Sequence, residues 1–236
     1  MHWRHDPGVE PSPSLTVDST VAVPARLAAK STLREYFEAL GVALLVALFV
    51  RTFAVQAFKI PSGSMLPTLQ IGDHILVNKL AYGLRVPVPH WSNWDSDGKV
   101  LVRFGLPQPG DVIVFVYPAD RSKDFIKRVV GLPGDVVEIR HKRVFVNGVP
   151  RDDPHAYFAD GFNEVTGGTP RDELAAFAVP PGHLFVMGDN RDRSYDSRFW
   201  GFVPLEDIKG KAFVIYWSWD GQDRWVRWER LGDRVN

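Results

Sequence analysis

The sequence contains no cysteine. Disulfides, thiolate metal sites and a cysteine nucleophile are therefore excluded, while the redox compartment stays open. An excess of either charge is also missing, with 28 Lys and Arg against 28 Asp and Glu. No basic field is present to draw nucleic acid, and no acidic excess marks a solvating chain. The 7 histidines are scattered, without an H-x-x-x-H or H-E-x-x-H arrangement. Zinc hydrolysis and a Ser-His-Asp triad thus both lack a clear candidate. Neither an internal repeat nor a Gly-rich phosphate loop is found. What is present is a globular composition, 45% hydrophobic and 24% charged over 236 residues, enough for one large domain or two modest ones.

The long apolar segment comes early. Residues 1–31 are rich in Pro, Ser, Asp and Val without apolar periodicity and read as a disordered tail. Thr32 and Glu35 then have the spacing of a capping box at a helix start. Every residue from Ala39 to Val50 is apolar or glycine, and with Arg51 as the sole charge the apolar segment extends to Phe58. That is about the 20 residues needed to cross a bilayer, so a transmembrane helix is expected over 32–57, with Arg51 snorkelling near its outer end. A buried core helix is the alternative; a cleavable signal peptide fits worse, because a long polar tail precedes the run and no A-x-A pattern closes it. Arg26, Lys30 and Arg34 precede the segment and place that end in the cytoplasm by the positive-inside bias, with everything after Lys59 outside.

Beyond the span, short β-patterned runs are bounded by Gly, Pro and Asp: 74–78, 112–117, 135–140 and 143–146. Such punctuation predicts a sandwich or barrel. His141-Lys142 suggests a hairpin and Asn147-Gly148 a turn, while 149–179 breaks the rhythm as an irregular insertion, a candidate small subdomain. Residues 58–219 form the expected β domain and 220–236 a C-terminal strand or tail. Trp200, Trp217, Trp219, Trp225 and Trp228 crowd the last third of the chain; core packing and a seat on membrane lipid are both open to them.

Three segments carry the chemistry. In Ile60-Pro61-Ser62-Gly63-Ser64-Met65-Leu66-Pro67, two hydroxyls flank a glycine while the prolines restrict the backbone around them. An ordinary turn has the same look. A serine at its free pKa is a weak nucleophile and needs a base. In Phe125-Ile126-Lys127-Arg128-Val129-Val130, strand alternation puts Lys127 and Arg128 on opposite faces, so one cation faces apolar surroundings or a pocket. A buried lysine can be neutral near physiological pH and accept a serine proton, which arginine cannot do; a solvated edge-strand lysine is the other reading. Lastly, the loop 188–198 sets Asp189, Asp192 and Asp196 against Arg191, Arg193 and Arg198, with hydroxyls at Ser194 and Ser197 that could orient a lysine. As a calcium loop counted from Asp192 it has Ser197 where glycine is required and Val203 where the terminal acid is required.

Taken together, these segments resemble bacterial type I signal peptidases, membrane-anchored Ser/Lys endopeptidases. Residues 58–69 resemble the family's nucleophile box, 71–77 the strand after it, 109–115 and 126–135 the next two boxes, and 188–198 the last. The resemblance implies a mainly β fold, a partly open barrel or coiled sheet with a small inserted subdomain behind one N-terminal transmembrane helix. It implies Ser64 as nucleophile, Lys127 as general base, and the Ser62 hydroxyl with the Ser64 N–H as oxyanion hole. Ser194 would orient Lys127, Asp196 and Arg198 would brace the loop, and Phe58, Ile60, Met65, Leu69, Phe125 and Ile126 would line shallow substrate pockets. The implied partners are signal-peptide-bearing preproteins and membrane lipid, at the bacterial cytoplasmic membrane, with no cofactor, metal or nucleic acid called for and the oligomeric state open. Departures are Phe125 for a frequent Tyr, Arg193 for a frequent Asn, a single span and a short insertion. A catalytically inactive membrane-tethered β module, a self-cleaving Ser/Lys regulator and an organellar homologue are the competing readings.

Overall fold

The computed structural model describes residues 32–86, 99–162 and 169–236. The expected tail over 1–31 lies outside them, as does the Thr32 side chain of the expected capping box. The chain divides into two compact units, Met1–Val42 and Ala43–Asn236, with the division falling inside helix α1 (Thr32–Phe53). From Leu33 to Phe53 this helix has a mean hydropathy of 1.7, and it is long and apolar enough to cross a membrane.

The helix stops four residues before the expected 57. Val55–Lys59 forms strand β1 instead, because its alternate residues pair antiparallel with β2 (Asp73–Asn78), from Val55 opposite Asn78 to Lys59 opposite His74. Lys79, just past β2, fixes the changeover: its N–H donates to Ala54 O at 2.9 Å, and its ammonium donates to Thr52 O at 2.6 Å, among the carbonyls that a helix end leaves unpaired.

The remaining strands follow in chain order. They are β3 (Gly83–Val86), β4 (Lys99–Arg103), β5 (Val112–Val116), β6 (Asp124–Gly131), β7 (Val136–Arg140), β8 (Arg143–Val146), β9 (Val149–Pro150), β10 (Leu174–Ala178), β11 (His183–Met187), β12 (Val203–Pro204), β13 (Ile208–Asp220) and β14 (Trp225–Val226). The main sheet runs β1-β2-β13-β5-β6-β11-β12, with β14 added to β13. Its two end strands do not pair with each other, so it is an open coiled sheet and not a closed barrel. Central β5 is buried throughout, which explains why Val112–Val116 reads as a continuous apolar run and not as an alternation.

The runs 135–140 and 143–146, expected in the main β domain, belong to a second sheet of order β10-β7-β8-β9. The small sheet therefore begins at Val136, ahead of the expected 149. Its β7–β8 hairpin turns on His141 and Lys142, both with positive φ, and its β8–β9 hairpin on Asn147 and Gly148, also both positive, as two-residue turns require. Val137, Ile139 and Val144 share one core with Val130, Phe185 and Met187 of β6 and β11, so the small sheet is packed onto the large one.

A second core holds Ile60, Met65, Leu69, Ile75, Val77, Val112, Val114, Ile215 and, from the end of the chain, Val235. Residues 220–236 are thus integral to the β domain. Trp200 packs between Phe115 and Tyr117, whereas Trp217, Trp219, Trp225 and Trp228 are exposed.

Candidate active site

The Ser-Gly-Ser segment lies between β1 and β2. Ser62 is extended (φ −134°, ψ 156°), and Gly63–Met65 then makes one 3-10 turn, so the Ser64 N–H stands among the first, internally unpaired donors of that turn. The segment is held from outside by Asn190. Its backbone N–H donates to Ser64 O and its Nδ2 to Gly63 O, both at 3.1 Å. Two residues past the Leu66–Pro67 peptide, which is cis, Leu69 is anchored in the core at 0% exposure. Thr68 Oγ donates to Asp189 Oδ2 at 2.6 Å.

Lys127 comes from β6, where it sits opposite Ile113 of β5. Only 4% exposed, it brings Nζ to 2.9 Å from Ser64 Oγ and donates to Ile126 O at 2.8 Å. Burial pushes the ammonium pKa from 10.5 down to about 8, with Arg198 acting in the same direction against the opposing pull of Asp196 and Asp189. Nζ thus donates to both Ser64 Oγ and Ile126 O, and only the deprotonated amine offers a lone pair to the serine hydroxyl.

Arg128 is buried as well, although alternation requires only one of the two neighbours to face inward. Both faces of β6 are covered here. Its guanidinium grips Asp189 through two bonds of 2.7 Å and donates to Gly110 O at 2.7 Å. Asp189 consequently links Arg128 to Thr68, tying the polar loop to the Ser64 segment.

That loop leaves no carboxylate free for a cation. Asp189 is held by Arg128, Asp192 by Lys142 at 3.0 Å, and Asp196 by Arg198 at 2.8 Å. Lys142 reaches in from the β7–β8 turn, so the small sheet braces the loop directly. Asp196 also caps the short helix α2 (Ser197–Trp200) and accepts from Gly188 N–H at 2.9 Å. Burial works to raise its carboxyl pKa; the Arg198 guanidinium and the Gly188 N–H outweigh burial and hold it below the usual carboxylate range.

The expected site residues are thus placed unevenly. Ser64 and Lys127 meet, and Asp196 and Arg198 pair behind them. Ser62 is exposed, and its hydroxyl makes no capping bond to the turn. Ser194 does not bond Lys127; its buried hydroxyl makes no well-formed hydrogen bond but lies near enough to Asp196 to help hold that carboxyl down, beside Gly188, where a Cβ would collide with both Ser194 Oγ and Ser64 O. Ser197 Oγ accepts from Val186 N–H at 3.0 Å, so it too turns away from the lysine. Among the expected pocket residues, Ile60, Met65 and Leu69 face the core at 2%, 0% and 0% exposure and line no open surface. Phe58, Phe125 and Ile126 are half-buried at its edge, with Phe125 stacked on Tyr117 at 4.3 Å. Asn190 and Thr68 were not given roles by sequence, and Arg128 was read only as the cation opposite Lys127; the density of polar residues in 188–198 was the available signal for Asn190.

A sequence profile described as "Signal peptidase, peptidase S26" matches residues 33–217. The signal peptidase I of Pseudomonas fluorescens is 44% identical over 214 residues, covering 78% of this chain and 72% of that protein. That of Pseudomonas aeruginosa is 41% identical over 227 residues, covering 84% and 77%. A solved structure of a signal peptidase I from Enterococcus faecalis V583 is 33% identical, covers 46% of this chain and 97% of its own, and has a TM-score of 0.37. By the extent of the profile match and of the two Pseudomonas relatives, the chain belongs to the signal peptidase family, peptidase S26.

Proposed function

We propose that this protein is a membrane-anchored serine endopeptidase that removes signal peptides from exported preproteins, with Ser64 as nucleophile and Lys127 as general base. The observation that carries the assignment is the 2.9 Å contact between Lys127 Nζ and Ser64 Oγ at a lysine only 4% exposed. Neutral Lys127 takes the hydroxyl proton as Ser64 Oγ attacks the scissile carbonyl. The tetrahedral oxyanion is met by the Ser64 N–H and the Ser62 hydroxyl, which is exposed and not used to cap the turn. Protonated Lys127 gives its proton to the leaving amine, and the acyl-enzyme remains. Lys127 then deprotonates a water that attacks the ester and returns the proton to Ser64 Oγ.

Ser194, Asp196 and Arg198 support the lysine from behind: the Asp196–Arg198 pair fixes the loop, and the Ser194 hydroxyl lies beside Asp196. Substrate side chains meet Phe58, Phe125 and Ile126 at the surface, above a floor of Ile60, Met65 and Leu69. From Asp124 to Lys127, β6 is paired on one side only, since β11 joins it from Arg128 onward. An extended substrate segment finds a free backbone edge there.

In this reading α1 spans the bacterial cytoplasmic membrane with its N-terminus in the cytoplasm, as Arg26, Lys30 and Arg34 favour, and the β domain works outside. The exposed Trp217, Trp219, Trp225 and Trp228 seat that domain on lipid. Cleavage of a preprotein by the full-length chain in detergent tests the assignment. Ser64→Ala and Lys127→Ala are each expected to abolish product while the folded β domain persists, and normal processing by either variant refutes the dyad.

A further inference from the structure

The C-terminal residues 228–236 lie beyond the span matched by the family, yet they reach the loop that carries Ser64. Asp73 closes that loop: its carbonyl accepts from Ile60 N–H at 2.8 Å, and its side chain, 0% exposed, accepts from Gln70 N–H at 2.8 Å and from Ser218 Oγ at 2.7 Å. Two cations face it, Arg227 at 4.0 Å and, in hydrogen-bond contact, Arg230. Arg230 donates to the two Asp73 oxygens at 3.1 and 2.6 Å, and the Nη2 that makes the shorter bond also donates to Thr68 O at 3.0 Å.

Thr68 is therefore held from two sides, at its carbonyl by Arg230 and at its hydroxyl by Asp189. Between Thr68 and Ser64 the chain has little slack, because Leu69 N–H bonds back to Met65 O at 2.9 Å and both side chains are fully buried. Arg230 is itself anchored. Asp233 O accepts from Ile215 N–H at 2.9 Å, Gly232 N–H donates to Ile215 O at 2.8 Å, and Val235 packs into the core that contains Met65 and Leu69.

We infer that Arg230 is a positioning residue for the Ser64 loop, and that the C-terminal segment forms the floor of the active centre. The inference rests on the reading of Ser64 as nucleophile. Without Arg230, Asp73 is a buried anion that loses both of its arginine hydrogen bonds and keeps only Arg227, 4.0 Å away, and the Thr68 carbonyl loses its donor. The loop then shifts to rehydrate Asp73, and a misplacement of about 1 Å at a nucleophile can cost on the order of 10²-fold in rate. Lysine restores the charge at Asp73 but lacks the planar fork needed to serve both carboxylate oxygens and Thr68 O together.

The test uses the full-length chain in detergent micelles and one preprotein substrate, with Ser64→Ala as reference. Arg230→Met is expected to lower kcat by about tenfold or more with KM changed less than about threefold, and Arg230→Lys to recover part of that loss. The control is Arg121→Met, which removes another bidentate arginine from a buried carboxylate, Asp207, without touching the Ser64 loop. It is expected to lower Tm comparably and leave kcat within about twofold. Unchanged kcat in Arg230→Met, or an equal kcat loss in Arg121→Met, overturns the inference. Should Arg230→Met fail to fold, Arg230→Lys decides alone: reduced kcat at near-normal Tm supports the inference, and normal kcat overturns it. If Ser64→Ala still cleaves, the nucleophile reading and this inference fall together; if it is inactive while Arg230 variants are normal, only this inference falls.

Discussion

Lys127 Nζ and Ser64 Oγ meet at 2.9 Å although 63 residues separate them in the chain. The contact is made between a strand in the middle of the open sheet and a turn held against it by Asn190. Neither hydrogen bond made by Asn190 to Gly63 and Ser64 involves the serine hydroxyl, so the backbone is fixed while Oγ remains available for the lysine.

The pH dependence of cleavage follows from that contact. Lys127, with a pKa lowered to about 8, is mostly protonated at neutral pH and cannot accept the serine proton in that form. Below about pH 8, kcat/KM should rise tenfold per pH unit, and it should level off above that value. Initial rates on a preprotein between pH 5.5 and 9.5, at roughly constant ionic strength, check this. A flat profile across that range removes Lys127 as the base.

Removing the lysine should cost activity and add stability. Its pKa falls from 10.5 unfolded to about 8 folded, so between those values the unfolded chain binds more protons and stability rises with pH. The penalty is fully present below pH 8 and is gone above 10.5. Lys127→Met keeps the side-chain length without the buried charge and should be more stable at pH 7 by about 1–3 kcal/mol, with no cleavage. Urea titrations at pH 7 and pH 10 read the difference, which should shrink at the higher pH. A Met variant less stable than the parent at pH 7 contradicts the burial cost.

Ser62 offers a separate handle on the transition state. Ser62 is exposed and its hydroxyl does not cap the turn, so Ser62→Ala removes no capping bond. We expect kcat to fall by about 10²–10³-fold with KM nearly unchanged, and Ser62→Thr to keep much of the rate because a hydroxyl is retained. Steady-state kinetics on the three proteins separate this from a folding defect, and an Ala variant within twofold or so of the parent rules out the hydroxyl as an oxyanion donor.

How much of this was legible in the sequence depended on the range of the interaction. The Ser-Gly-Ser segment, the Lys-Arg pair and the polar loop could be read locally, since each concentrates unusual residues in a short window. The end of α1 could not: Val55–Lys59 is apolar enough to continue a helix, and only pairing with β2 makes it a strand. The alternation of 135–146 likewise says which residues share a face, and nothing about which sheet they join. The family resemblance implied Ile60, Met65 and Leu69 at a substrate pocket, and in the fold a turn packed on a sheet buries these apolar side chains beneath the hydroxyls. Arg128 and Asp189, 61 residues apart, carry no mutual mark in the sequence at all.

Gly188 tests whether the loop and the nucleophile turn are in direct contact. An added Cβ would meet Ser194 Oγ, which could rotate away, Ser194 Cβ, which could not, and Ser64 O, which is backbone and already bonded to Asn190 N–H. Relief for Gly188→Ala moves the Ser194 loop and the Ser64 turn apart, lengthening the contact with Lys127. Because the Asp196–Arg198 and Arg128–Asp189 pairs lie outside the clash, the fold should survive with a destabilisation of about 1–3 kcal/mol. Activity should fall further than stability: kcat lower by on the order of 10²-fold, with the pH profile retained at residual rate. Thermal unfolding beside steady-state kinetics distinguishes the two losses. If Gly188→Ala cleaves at the parental rate, the close approach between this loop and Ser64 is not what holds the nucleophile in line.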